Sequence, residues 1–385
     1  MIFDVLIIGG GLVGAGLAAA LKPSGLSVAL VEAQSAPQQT EGWDRRIYAI
    51  SPGSASFLAG CGAWQGLDWS RVQQVERMRI FGDTGAELDF SAYQVGAPEL
   101  AFILEARLIQ QSLWEILQHQ DKLTLFHPAQ CVGLAWHEDC ASLILEDGRE
   151  IRARLVVGAD GPDSWVRRQA GIIEPPTLYR QNGVVANFIA GEPHRAAAFQ
   201  WFQSDGILAL LPMPQQMVSM VWSVSPEKSD RLLQLGSEEF CGQVAAASQN
   251  MLGELQLVTP PAAFPLRLLH LPHIVKPRLA LVGDAAHNVH PLAGQGVNLG
   301  FRDVRELVRV LQQRGPQADC GDIHLLRRYE RARQEDIFSM QAVTDMLKKL
   351  FNNDNPLLRS ARNFGLATTN QITPLKKVLM RHALI

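Results

Sequence analysis

The chain has little of what would staple a small fold together. Its 385 residues include only five cysteines, Cys61, Cys131, Cys140, Cys241 and Cys320, an odd number with no CxxC spacing. That pattern argues against a disulfide framework or a structural zinc site and fits a reducing compartment. There is no surplus of positive charge: 35 Lys and Arg stand against 38 Asp and Glu, a formal net charge of −3. The electrostatic footprint of a nucleic-acid binder is therefore missing. No internal repeat or low-complexity tract is evident. One uncharged run does occur, from Val5 to Leu21, but only Asp4 precedes it as a charge, and Gly9, Gly10, Gly11 and Gly14 interrupt it. A signal peptide wants a basic start, and clustered glycines weaken a helix meant to cross lipid. A strand, a turn and a helix are the better reading. The composition, 47% hydrophobic and 19% charged, is that of a globular protein, and the length suggests two or three structural units.

Along the chain, Asp4–Ile8 reads as a buried strand, Leu12–Leu21 as an alanine-rich helix and Ser27–Val31 as a second buried strand. That is a βαβ unit with parallel neighbours. Arg79–Phe81 with Glu87–Phe90 and Ser142–Glu146 with Glu150–Leu155 read as two hairpins, the second turning on Asp147-Gly148. Residues 184–224 alternate apolar and polar and suggest antiparallel strands. Leu279–Val282 is one more short buried strand; helical patterns follow from Gln295 to Leu311 and over residues 323–350. The layout is a dinucleotide-binding unit interrupted by a sheet domain, then a helical tail.

Gly9-Gly10-Gly11-Leu12-Val13-Gly14 is a GxGxxG turn. Gly9 permits the tight turn, Gly11 lets backbone approach a pyrophosphate, and Gly14 lets helix and sheet pack closely. The helix start then offers N–H groups and a positive dipole end to phosphate. Glu32, eighteen residues after Gly14, ends the second strand where it can accept from a ribose 2′-hydroxyl. This much indicates a dinucleotide but does not choose between FAD and NAD. Further on, the strand from Leu279 ends in Gly283-Asp284, at the carboxyl edge where ligands meet such sheets. His290-Pro291-Leu292-Ala293-Gly294-Gln295-Gly296-Val297-Asn298 then places glycines at a loop-to-helix junction able to aim N–H groups at an oxygen.

These residues resemble the class A flavoprotein aromatic hydroxylases, and more narrowly the UbiH/UbiF/VisC group that hydroxylates ubiquinone precursors. The resemblance runs nearly end to end and is most specific from Gly283 to Asp303. It implies that Asp284 binds the ribityl chain of FAD and that Pro291, Gly294, Gln295, Gly296 and Asn298 border the isoalloxazine ring. Gly158-Ala159-Asp160-Gly161 resembles the family's Asp-Gly motif, which implies a cofactor role for Asp160; the plainer reading is a helix cap by Asp160 or Asp163. Asp44-Arg45-Arg46 through Ser51 resembles the family's Asp-x-Arg-x-x-Ala-x-Ser segment and implies Arg46 near the flavin. Glu105-Ala106-Arg107 departs from the Glu-Asn common there, which leaves Arg107 open between a cofactor contact and a solvent-facing charge. His287 and His290 lack a third ligand at metal spacing, so no metal is expected and packing is the favoured role.

The fold class implied is α/β: a Rossmann-like FAD domain of the p-hydroxybenzoate hydroxylase type, an inserted antiparallel-sheet substrate domain and a helical C-terminal tail. The expected boundaries are 1–75, 98–178 and 272–322 for the FAD domain, 76–97 and 179–271 for the sheet domain, and 323–385 for the tail. Trp201, Leu210 and Pro212 are candidates for the substrate wall, with no individual catalytic base assigned. The resemblance implies a cycle in which NADH or NADPH, visiting transiently, reduces FAD, O2 adds to the reduced ring, and a C4a-hydroperoxyflavin hydroxylates an electron-rich phenol. The substrate implied is a polyprenylated phenol or quinol; a soluble hydroxylase of small phenols and a non-catalytic flavin-bound component of a biosynthetic complex are the alternatives. After Asp354 the chain carries Arg359, Arg362, Lys376, Lys377 and Arg381 with an apolar stripe of Leu375, Val378 and Leu379. Such an end fits the anionic inner face of a membrane, as a peripheral contact of a cytoplasmic protein, or equally a protein surface, its own or that of another ubiquinone-biosynthesis protein.

Overall fold

The computed structural model describes residues 2–351 except 39–40, 83–84, 204, 290–293 and 316. Pro291, His290 and the basic C-terminal end therefore lie outside the described residues.

The first sheet has a parallel centre. Leu279–Leu281, Glu150–Gly158, Ile2–Ile8, Val28–Val31 and Leu123–Phe126 run side by side in that order, all parallel. Their continuous apolar runs follow from burial on both faces. The helix Leu12–Ala20 connects Ile2–Ile8 to its neighbour Val28–Val31, so the expected βαβ unit is present. The hairpin at Asp147-Gly148 is also present, and its second strand has two roles. Residues 150–153 pair antiparallel with Ala141–Leu145, while residues 152–158 pair parallel with Ile2–Ile8.

The second sheet has the order Leu255–Leu257, Thr177–Ala190, Met217–Val224, Gly206–Met213, Ala197–Gln203, Arg77–Phe81, Glu87–Ser91, with Ala262–Leu268 also on Thr177–Ala190. All its pairings are antiparallel except one: Ala197–Gln203 runs parallel to Arg77–Phe81, the hairpin strand that arrives from far away in the chain. One face is covered by the helices Pro226–Gln234 and Ser237–Ala247. A third sheet, Ile47–Ile50, Ala101–Glu105 and Gln73–Val75, joins the two units. Its Val75 and Ile103 pack with Ala198, Met213 and Met217 of the second sheet.

The helix Ile323–Phe351, in the C-terminal region expected to be helical, packs on the parallel-sheet unit. Leu325, Leu326, Tyr329 and Ile337 belong to the core around the parallel sheet, and the buried Tyr329 hydroxyl donates to the Leu281 carbonyl at 2.9 Å. The amphipathic period of this helix predicts a buried stripe, but periodicity does not name what the stripe covers.

Candidate functional site: a cleft at the carboxyl end of the parallel sheet

The turn after Ile2–Ile8 is built by exclusion. Gly9 has φ +107, and a Cβ there would meet the Ala159 carbonyl oxygen at 2.4 Å; at Gly14 it would lie 1.9 Å from the Gly9 carbonyl oxygen. Gly10, given no task by the motif, is required by packing: its Cβ would fall 2.7 Å from the Trp114 ring, whose Nε1 donates to the Gly10 carbonyl at 2.9 Å. Gly11 is different. Nothing lies within 4 Å of its Cβ position, so the chain leaves open the space that a ligand would fill. Glu32 stands beside this turn and accepts from the Gly10 N–H at 2.6 Å and the Gln34 N–H at 2.9 Å.

Two helices point uncapped starts into the cleft. Leu12–Ala20 and Gly296–Gln312 have neither a side-chain cap nor an acidic residue in the first turn. Three other helices are capped by serine: Ser51, Ser164 and Ser225 each accept from the backbone of their own first turn, while Ala106–Gln118 and Ser237–Ala247 also start without a side-chain cap. Open N–H groups at a helix start are ready partners for an anion or a carbonyl oxygen. Val13 brings the two ends together, since a Cβ at Gly283 would meet it at 3.1 Å and one at Gly300 at 2.7 Å.

Asp284 follows Gly283, which has φ +59. The residue keeps access to solvent, yet protein packs round its carboxyl. That enclosure raises its carboxyl above the ordinary range; His287 and a hydrogen bond from Asn288 work against the rise, and the Asp303 charge adds to it. Tyr48 shares the cleft. Burial and then the Asp284 charge push its phenol up, while the Arg46 guanidinium pulls it down. Arg46, Tyr48 and Asp284 are thus one neighbourhood, and Tyr48 escaped sequence reasoning because a tyrosine inside an apolar strand pattern reads as packing.

Several expected ligand residues turn out to hold the protein together. The Asn298 amide accepts from the Ser51 N–H at 3.0 Å and donates to the Ala49 carbonyl at 2.9 Å and the Gly294 carbonyl at 3.3 Å. It clamps the Arg46 segment to the Gly294–Gly296 loop, where Gly294 has φ +62 and Gln295 precedes the helix. Asp160 accepts from Ser164 Oγ at 2.6 Å and the Val166 N–H at 2.9 Å, which is the capping geometry. Arg107 donates to the Gly42 carbonyl at 2.9 Å and to Glu105 at 3.2 Å. Glu105, almost fully buried, also takes Arg71 in a two-pronged ion pair at 2.7 and 3.0 Å and accepts from the Asp44 N–H at 2.6 Å. Arg167, also unforeseen, donates to the Ala285 carbonyl and the Pro162 carbonyl, both at 2.9 Å, and so ties the Asp160 turn to the Asp284 turn.

The substrate-wall expectation is corrected. Trp201 and Leu210 are buried in the core beneath the two covering helices, Trp201 stacked on Phe81 at 5.3 Å. Pro212, opposite Val218, holds a register position on that same face. The opposite face meets the segment around Asp44–Ile50: Asn187 donates to the Asp44 carbonyl at 2.8 Å, and Leu211 and Met213 pack towards Ile47 and Ala49. Strand alternation then turns Val185, Ala209, Leu211 and Val221 to the cleft side. Both faces of these strands are apolar, so the sequence alone does not say which one the helices cover.

Among the described residues no group of three His, Cys, Asp or Glu could hold a metal, and no helix is long and apolar enough to cross a membrane.

Comparison with known proteins agrees with this geometry. A family model described as FAD binding domain matches residues 3–344. The chain is 37% identical to the 3-demethoxyubiquinol 3-hydroxylase of Escherichia coli K12, over 99% of this chain and 98% of that one. It is 36% identical to the ubiquinone hydroxylase UbiL of Rhodospirillum rubrum, over 99% and 89%. It is 31% identical to the human mitochondrial ubiquinone biosynthesis monooxygenase COQ6, over 99% and 92%. Among solved structures, PqsL of Pseudomonas aeruginosa in complex with 2-aminobenzoylacetate superposes with a TM-score of 0.81 at 23% identity, covering 95% of this chain and all of that one. The p-nitrophenol 4-monooxygenase PnpA of Pseudomonas putida gives 0.81 at 16%, covering all of this chain and 98% of that one. Those two likenesses speak for the fold.

Proposed function

The chain belongs to the FAD binding domain family, and from that premise we propose that it hydroxylates the ring of a polyprenylated phenol or quinol in ubiquinone biosynthesis. The observation that carries this is the end-to-end likeness to three hydroxylases of that pathway, joined to a cleft whose open places suit a flavin nucleotide. When bound, FAD supplies the oxygen-transfer chemistry, with NADH or NADPH as reductant and O2 as oxidant.

The chain's own residues bind, orient and shield. The open Gly11 position and the uncapped Leu12–Ala20 helix would take the pyrophosphate, and Glu32 a ribose hydroxyl. Asp284 would accept from the ribityl hydroxyls, with the Gly294–Gly296 loop and the second uncapped helix start beside the ring. Asn298, Asp160 and Arg107 act from behind, by fixing the loops that make these contacts. The apolar cleft-side residues of the second sheet exclude water and suit a ring with a long hydrocarbon tail. On this reading the 76–97 and 179–271 segments form the substrate side of the site, and the O2 and quinol partners meet between the two units.

The test is to complement strains lacking each ring hydroxylase of ubiquinone synthesis and to identify the accumulated quinone intermediate by mass spectrometry. Restoration of ubiquinone in one strain is expected. A purified protein that holds FAD but neither complements any strain nor shows substrate-stimulated NAD(P)H oxidation would sink the reading.

A further inference from the structure

Behind the Asp284 turn, on the side away from the cleft, lies a chain of buried charges. The Asp303 carboxylate is fully buried. One oxygen accepts from the Gly283 N–H at 2.9 Å and from His287 Nε2 at 2.6 Å; the other accepts from Arg333 Nε at 2.7 Å. Arg333 also pairs with Asp336 at 2.7 Å, and Asp336 with Arg302 at 3.0 Å. This chain of charges runs between the helix Gly296–Gln312 and the helix Ile323–Phe351.

Such a network is a poor way to gain stability. Desolvating several charges consumes most of the attraction between them, and apolar packing of equal volume often does as well. What the network does supply is direction. Gly283 and His287 are the two ends of the turn that carries Asp284, and both are tied to one oxygen of Asp303. We propose that Asp303 is a positioning residue for the flavin: by holding the Gly283 N–H and the His287 ring, it aims Asp284 into the cleft and braces that aim against Arg333 of the long helix. The inference rests on flavin binding, the premise of the preceding proposal, and is independent of which substrate is hydroxylated. Burial alone would raise the Asp303 carboxyl, but the His287 and Arg333 charges and hydrogen bonds outweigh it and hold the group ionised.

The test compares Asp303→Asn, His287→Ala and His287→Gln with the wild type, reading the FAD dissociation constant of each apoprotein by flavin fluorescence titration and its Tm without FAD. Glutamine keeps an N–H donor for Asp303; alanine does not. The expected result is at least tenfold weaker FAD binding in Asp303→Asn and His287→Ala, with His287→Gln within threefold of wild type. FAD binding within threefold of wild type in both damaging variants, however far Tm falls, overturns the proposal and leaves Asp303 a stability element only. If Asp303→Asn does not fold, the two His287 variants decide alone. A wild-type protein that takes up no FAD would refute the cofactor premise itself, a different and recognisable failure.

Discussion

Two glycines of one turn should fail in opposite ways. At Gly14 an added methyl would lie 1.9 Å from the Gly9 carbonyl oxygen and 3.1 Å from the Ala159 Cβ. Neither neighbour is a flexible side-chain end, so relief requires the strand–helix turn to open, at a cost of about 1–3 kcal/mol or more. At Gly11 the methyl meets nothing within 4 Å, and φ −68, ψ −172 is ordinary for alanine. Losing glycine for alanine at a helix N-cap costs about 1 kcal/mol or less. The methyl would, however, occupy the space that the proposed function assigns to the pyrophosphate, and one lost hydrogen bond to a charged ligand is worth about 2–3 kcal/mol. That converts to roughly 30- to 150-fold weaker FAD binding. Thermal melts of the apoprotein and flavin fluorescence titration separate the two. Gly14→Ala should drop Tm; Gly11→Ala should keep Tm and lose FAD. Wild-type affinity in Gly11→Ala, or an equal fall in apoprotein Tm for both variants, would refute the assignment of that open space to the ligand.

Trp201→Ala, in the helix-covered core, should cost about 3–5 kcal/mol in urea unfolding, whereas Leu211→Ala on the cleft side should mainly change KM for the aromatic substrate; the reverse pattern would return the substrate to the helix-covered face. Arg167→Met strands the Ala285 and Pro162 carbonyls, at about 1–3 kcal/mol each, and should both lower Tm and weaken FAD binding; unchanged FAD affinity would separate Arg167 from the site. His194 is buried, bonded to the Met213 carbonyl and accepting from the Ala196 N–H, and burial holds its pKa below the usual value despite the bond to Met213. Above about pH 6.5 the ring is neutral folded or unfolded; below it the unfolded chain takes a proton that the folded one resists. Stability should therefore fall on acidification from about pH 6.5, and His194→Gln should flatten that slope in urea melts at stepped pH; an unchanged slope would show that other groups set it.

The glycine turn, the Gly283–Asp284 strand end and the hairpin at Asp147-Gly148 were legible because each is local. A left-handed φ, a strand end and a helix start within a few residues narrow the chain to one conformation, and Gly9 and Gly283 adopt positive φ in the structure. The pattern in residues 184–224 likewise announces strands, but these strands are buried on both faces, so parity does not tell which face the helices cover. Gly10 shows the same limit at a single position: its need for glycine comes from Trp114, far along the chain.

The sequence by itself determined the kind of ligand, since a dinucleotide turn and an acid at a strand end are short-range devices whose chemistry is carried by neighbouring residues. Tertiary structure alone decided which polar side chains are taken up by distant parts of the protein. Asn298 reaches Ser51 across 247 residues, Asn187 reaches Asp44 across 143, and Arg167 reaches Ala285 across 118. A buried amide, carboxylate or guanidinium must find a partner wherever the fold offers one, and that partner's address follows from packing and not from spacing along the chain.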